Sequence, residues 1–179
     1  MKFIPTELPG LVIVEPQVFG DDRGFFMETF QRPKFAAAGI DVEFVQDNHS
    51  SSRRGVLRGL HYQLTRPQGK LVRAVRGAIF DVGIDLRRSS PTFGKWFGLE
   101  LSEANRRQLY VPPGFAHGFC VISDAAEVIY KCTDVWVPQD ERTVLWNDPT
   151  LAVKWPVESP TISAKDANGV RFEQADCFA

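Results

Sequence analysis

Between Arg53 and Arg76 the chain concentrates side chains that bind anions and move protons, R-R-G-V-L-R-G-L-H-Y-Q-L-T-R-P-Q-G-K-L-V-R-A-V-R. Arg58, His61 and Lys70 fall near the ends of two apolar runs, residues 56–60 and 71–75. The turn formers Pro67 and Gly69 separate the runs, which predicts two strands joined by a loop. An imidazole set between a cation and a strand turn is suited to moving protons near neutral pH. Arg53, Arg54, Arg66, Arg73 and Arg76 read as solvated surface charge.

The elements that must hold these groups are short and numerous. Strands are expected at 11–14, 18–19, 25–30, 42–48, Ala78–Asp85, 96–101, Gln108–Val111, 118–122 and 126–134. In the 42–48 segment Val42, Phe44, Gln46 and Asn48 share one face by the period of two. In Ala78–Asp85, Ala78, Phe80, Val82 and Ile84 fall on one side, and Ile79, Asp81 and Asp85 on the other. One helix is expected at 33–38, with Pro33 in its first turn and Gly39 as its cap. Such spacing argues an all-β sandwich or barrel rather than βαβ units. From Pro138 onward the sequence is irregular, rich in Pro and Asp, and is expected to wrap the barrel.

The 179 residues fit one domain, or a domain with arms. A net charge of -1 offers no basic field for nucleic acid, so an anionic ligand must meet a local cluster. Cys120, Cys132 and Cys177 form no C-x-x-C pair and no even framework, which favours buried thiols in a reducing compartment. The opening M-K-F-I-P-T-E-L-P-G is broken by Pro5, Glu7 and Pro9 and does not read as a signal core. No apolar run approaches the ~20 residues that cross a bilayer. A soluble cytoplasmic protein without nucleic-acid or membrane partners is expected.

The phrases L-R-G-L-H-Y-Q…Q-G-K-L-V-R and P-P-G-F-A-H lie within a longer likeness, from V-F-G-D-D-R-G-F-F through L-W-N-D-P to S-A-K-D. Together they resemble the dTDP-4-dehydrorhamnose 3,5-epimerases, sugar-nucleotide enzymes on a cupin-type jelly-roll barrel. Metal-binding cupins carry H-x-H where this chain has His61-Tyr62-Gln63, although Pro112-x-Gly114-x-x-His117 keeps the later half of their pattern. The resemblance implies an enzyme that works without metal or other cofactor.

A 4-keto sugar has acidic C–H bonds at C3 and C5, because the carbanion delocalises into an enolate at C4. Inversion needs a base on one face, an acid on the other and a cation near the ketone oxygen. The resemblance assigns the base to His61, oriented by Asp166, the acid to Tyr130 and the cation to Lys70. It places Arg58 and His117 on the diphosphate, and Gln46, Asn48, Phe19, Arg23 and Glu28 in the same pocket. Trp136 stands where relatives usually carry a tyrosine that stacks on thymine, and Val135 where another tyrosine is frequent. Glu141 and Lys165 match further pocket positions. Relatives form homodimers that exchange strands, so the arm at about 1–30 is expected at a dimer interface.

The implied reaction converts dTDP-4-dehydro-6-deoxy-D-glucose to dTDP-4-dehydro-L-rhamnose in dTDP-L-rhamnose biosynthesis, a supply line for cell-surface polysaccharide. Two alternatives stand beside it: a single-centre epimerase of an antibiotic sugar, and a cupin that holds a nucleotide sugar without turnover. A metal-dependent cupin oxygenase or isomerase is disfavoured by Gln63 at a ligand position.

Overall fold

A computed structural model describes residues 1–179. Two antiparallel sheets form the body. In the first, the strands lie in the order β1 (Lys2–Pro5), β2 (Val12–Glu15), β10 (Gln108–Val111), β7 (Lys70–Arg76), β12 (Ala125–Cys132), β5 (Gln46–Arg53). In the second the order is β13 (Glu141–Thr143), β6 (Leu57–Gln63), β11 (Phe115–Val121), β8 (Ala78–Asp85), β9 (Trp96–Ser102). A separate hairpin pairs β3 (Val18–Asp21) with β4 (Gly24–Met27). This is the cupin-like jelly roll that the sequence implies.

The period of two sorts each strand between core and cavity. On β7, Val72 and Ala74 enter the intersheet core, and Lys70 follows them on the same face. On β12, Ala126 and Val128 are core, and Tyr130 and Cys132 continue that face. On β8, Ile79 is core and Asp81 comes next on its side. The interior is therefore apolar at one end, with Leu109, Phe119 and Val121, and polar at the other. Each fully buried Leu, Val or Phe contributes about 1.5–3 kcal/mol, so the apolar end stabilises a polar end that does not stabilise itself.

The outward face of the second sheet is also buried. Leu60, Tyr62, Val82 and Ile84 pack beneath the chain beyond Pro138, whose Leu151, Trp155, Phe172 and Phe178 cover them. The expected wrap is present, with two helical turns, α2 (Ala164–Ala167) and a 3-10 turn (Phe172–Gln174), that the sequence did not announce.

Several boundaries differ from expectation. The strand expected at 42–48 begins only at Gln46 and runs on to Arg53, while 42–45 are irregular. Its inward residues Gln46, Asn48, Ser50 and Ser52 are polar, so apolar alternation stops where the ladder begins. Phe44 instead packs edge-on against Phe30 beside the helix. The N-terminus forms strand β1 despite Pro5, because β1 pairs only with β2 and an edge strand tolerates a missing donor.

The helix α1 spans Arg32–Ala37, one residue earlier than expected. It ends in a Schellman motif, with Gly39 at φ +84°, Gly39 N–H donating to Ala36 and Ile40 N–H to Phe35. The strands around His61 and Lys70 are successive in the chain but belong to opposite sheets.

Candidate active site

The polar end of the barrel encloses a cavity of about 590 Å³. Its wall contains eleven of the residues singled out in the sequence: Gln46, Asn48, Arg58, His61, Lys70, His117, Tyr130, Trp136, Glu141, Lys165 and Asp166. They converge from β5, β6, β7, β11, β12, the loop that follows β12, β13 and the C-terminal wrap. No continuous stretch of chain could have produced this set; the sheet order does.

The two catalytic candidates from the first sheet are neighbours. β12 pairs with β7 so that Tyr130 lies opposite Val72 and Cys132 opposite Lys70. No side chain engages the Tyr130 hydroxyl or the Lys70 ammonium. Burial raises the Tyr130 phenol above its usual range, which keeps it protonated as a donor. Burial also pushes the Lys70 ammonium below the usual lysine range, against the pull of Cys132, Glu141 and Asp81.

His61 comes from the opposite sheet. Its Nε2 lies 2.6 Å from Asp166 Oδ1, and Asp166 is 2% exposed. Ser163 Oγ accepts from the Asp166 backbone N–H at 3.1 Å, which fixes the turn that presents the carboxylate. Burial pushes the His61 imidazolium below the usual histidine range, and the bond and charge of Asp166 oppose this. Burial alone would raise Asp166, but its bond to His61, the His61 charge and Ser163 hold it low. An ionised carboxylate only accepts, so Nε2 carries the ring proton and Nδ1 is left as a free base.

The crossing of β6 and β11 that sets His61 beside His117 depends on two glycines. A Cβ on Gly59 would sit 2.6 Å from Gly118 Cα, and one on Gly118 would sit 2.7 Å from Arg58 O. Across this crossing His117 pairs directly with His61. His117 is 6% exposed, and its Nε2 lies 2.9 Å from Oδ1 of the fully buried Asp81.

The remaining lining is polar and aromatic. Arg58 donates from Nε and Nη2 to Ser52 Oγ at 3.1 Å, leaving Nη1 without a protein acceptor. Gln46 donates to Asn48 Oδ1, and its own carbonyl accepts the Trp136 backbone N–H at 2.8 Å. Trp136 is 54% exposed at the cavity rim. Lys165 Nζ pairs with Glu141 Oε2 at 2.9 Å. Gln63 does not face a ligand: its amide donates to Arg66 O and Val135 O and accepts from Val137 N–H, bracing the Trp136 segment. No three His, Cys, Asp or Glu side chains converge to hold a metal.

Three expected pocket residues lie elsewhere in this chain. Phe19 and Arg23 sit on the β3–β4 hairpin, where Arg23 pairs with Asp21, and Glu28 pairs with Lys34. Conversely, Ser50, Gln68, Phe119 and residues 161–163 line the cavity without having been marked in the sequence. Asp81 is the other addition. A carboxylate on the Ile79 side of an apolar strand was the available signal for it.

From residue 5 to residue 174 the chain matches the family model described as dTDP-4-dehydrorhamnose 3,5-epimerase. It is 57% identical over 180 residues to the dTDP-4-dehydrorhamnose 3,5-epimerase of Shigella flexneri, with 99% of each chain covered. Against the enzyme of that description from Pseudomonas aeruginosa the identity is 56% over 180 residues, again with 99% of each chain covered. Among solved structures, the dTDP-6-deoxy-D-glucose-3,5-epimerase of Legionella pneumophila in complex with dTDP-4-keto-L-rhamnose matches with a TM-score of 0.95. The identity there is 48%, over 98% of this chain and 94% of that one. Since fold and sequence agree over nearly all of its length, the chain belongs to the dTDP-4-dehydrorhamnose 3,5-epimerase family.

Proposed function

We propose that the protein epimerises C3 and C5 of dTDP-4-dehydro-6-deoxy-D-glucose to give dTDP-4-dehydro-L-rhamnose, with no metal or other cofactor. The observation that carries this reading is the placement of base and acid on opposite sheets. His61, oriented by Asp166, stands on one wall, and Tyr130 with Lys70 stands on the other. His61 Nδ1 removes the proton at C3 or C5, Lys70 stabilises the enolate oxygen, and Tyr130 delivers a proton to the opposite face. Arg58 and His117 hold the diphosphate, and Trp136 offers its exposed indole to the base, a stack worth about 1–3 kcal/mol.

A homodimer completes the pocket in this reading. Phe25 and Phe26 on the hairpin are 58% and 70% exposed, beside Arg73, whose buried Nη1 has no partner. A second copy laid over this face would cover both and bring its own Phe19, Arg23 and Glu28 to the cavity. The cytoplasm, where nucleotide sugars are made, is the proposed compartment.

Proton NMR of the substrate with the enzyme in D2O tests the reaction. Deuterium at both C3 and C5 together with the L-configured product is expected. Exchange at only one carbon would make the protein a single-centre epimerase, and no exchange would make it a binding module.

A further inference from the structure

Phe119 and Tyr130 present their rings to the cavity from β11 and β12, but Trp136 lies in the loop between β12 and β13, where no ladder fixes the backbone. Its indole is 54% exposed, so packing does not fix it either. A platform that loose would have to be ordered by each ligand that stacks on it, and the ordering is subtracted from the affinity.

Two side-chain amides stand in for the missing ladder. Gln63 Nε2 donates to the Val135 carbonyl at 3.2 Å, and Gln63 Oε1 accepts the Val137 N–H at 2.6 Å. Those two groups belong to the peptide planes on either side of the Trp136 Cα, so one amide holds both. Gln46 Oε1 accepts the Trp136 N–H at 2.8 Å, from the first of the same two planes. With both planes held, φ and ψ of Trp136 and the direction of its Cα–Cβ bond are set. The second Nε2–H of Gln63 goes to Arg66 O at 2.8 Å. The amide therefore has no N–H left for a ligand, and turning it over would set its oxygen against two carbonyls. Gln63 is 2% exposed and stands two residues from His61 on β6, on the same face by the period of two. The strand that carries the proposed base also anchors the ring proposed for the nucleobase.

We propose that Gln63 is a positioning residue that preorganises Trp136 for the nucleobase of a nucleoside-diphosphate sugar. It acts on binding and not on proton transfer, because none of its three bonds touches His61, Asp166, Lys70 or Tyr130. This role presupposes the reading of Trp136 as the surface on which the base stacks.

Gln63→Met keeps the length of the side chain and removes the amide. Arg66 and Gln68 still hold Asp134, and Val135 is 41% exposed, so water can reach the released backbone groups and the fold should survive. Calorimetry of dTDP binding and turnover of dTDP-4-dehydro-6-deoxy-D-glucose compare wild type, Gln63→Met, Trp136→Ala and the double variant. Trp136→Ala should bind dTDP roughly 5–150-fold more weakly, the worth of one base stack. Gln63→Met should lose on the order of tenfold, with KM raised alike and kcat within a few-fold. In the Trp136→Ala background the same change should cost less than about twofold, since no ring is left to place. A glutamine that only stabilised the fold would cost as much without the indole as with it. Equal costs in the two backgrounds, a fall in kcat without a rise in KM, or wild-type dTDP affinity in Gln63→Met overturns the proposal. If Gln63→Met does not fold, Gln63→Asn, whose amide is one methylene short, is read in the same way; failure of both to fold makes Gln63 a folding residue and overturns it too. Wild-type affinity in Trp136→Ala removes the stacking reading and this role with it, whereas a weakened Trp136→Ala beside an unchanged Gln63→Met removes only the role of Gln63.

Discussion

Replacing Asp166 by Asn is nearly isosteric and strikes at the base. Asp166 is 2% exposed, its Oδ1 lies 2.6 Å from His61 Nε2, and Ser163 caps its backbone, so the turn should survive the change. The amide can rotate its NH2 toward the ring, which forces the proton onto Nδ1 and removes the lone pair that attacks the substrate. The lost charge-assisted bond is worth about 1.5–3 kcal/mol, a factor of roughly 10–150. The wrong tautomer adds to this, as in the serine-protease His–Asp pair, where the corresponding change costs about 10⁴. Exchange at C3 and C5 should therefore fall together by on the order of 10²–10⁴. The pH profile supplies a second, signed expectation. Burial lowers the His61 pKa and Asp166 opposes it, so removing the carboxylate leaves burial unopposed. The acid limb of kcat/KM should move to lower pH while the plateau drops. Deuterium wash-in between about pH 5 and 8 measures both, with dTDP affinity as the control for an intact pocket. A loss below tenfold, or an acid limb displaced to higher pH, would refute the reasoning.

His61→Asn should abolish exchange at both carbons, by at least ~10²–10⁴-fold, because one imidazole serves both. Near-normal exchange at either carbon removes His61 from the role. Tyr130→Phe keeps base and cation, so wash-in should persist at a reduced rate while inverted product falls much further. Equal and complete loss of both would contradict the assignment of Tyr130 as acid. Activity should survive prolonged EDTA treatment, since Gln63 is tied to backbone groups rather than turned to the cavity; recovery only on adding one divalent ion would reverse this. Finally, an inactive Arg23→Ala chain refolded with an inactive His61→Asn chain should regain about a quarter of wild-type activity, because random pairing leaves one intact site in each mixed dimer. Mixed dimers that stay inactive would place Arg23 in its own chain's pocket.

Where apolar alternation carried the signal, the fold was legible in the sequence. Ala78–Asp85, where the alternation was clean, and Gln108–Val111, buried along its whole length, both lie where they were expected. The pattern failed where a strand faces the cavity. β5 reads Q-D-N-H-S-S-S-R, polar on both sides, and its ladder with β12 is specified by the partner strand rather than by its own residues. The candidate site was legible in residue type at Arg58, His61 and Lys70, and His117 entered through resemblance alone. Tyr130 and Asp166 were legible only through resemblance, because a strand tyrosine and a loop aspartate have no local mark. Asp81 bonds His117 from the next strand, a relation that exists only once the strands are paired.

The sheet order explains why the carboxylate that bonds His61 comes from so far along the chain. In the order β13-β6-β11-β8, His61 on β6 and His117 on β11 occupy adjacent positions, about 4.8 Å apart in the pairing direction. With two imidazoles side by side, a carboxylate from the same sheet would reach each from its outer flank. For His117 that flank is β8, a full-length strand, and Asp81 stands there. For His61 it is β13, three residues long, which sets Thr143 opposite His61 and then ends. The barrel has no further strand to offer. The bridge from Val144 to Val170 brings the wrap back to this edge, and α2 just before it delivers Asp166 to His61. The row that results runs carboxylate, imidazole, imidazole, carboxylate, with both carboxylates on the outside.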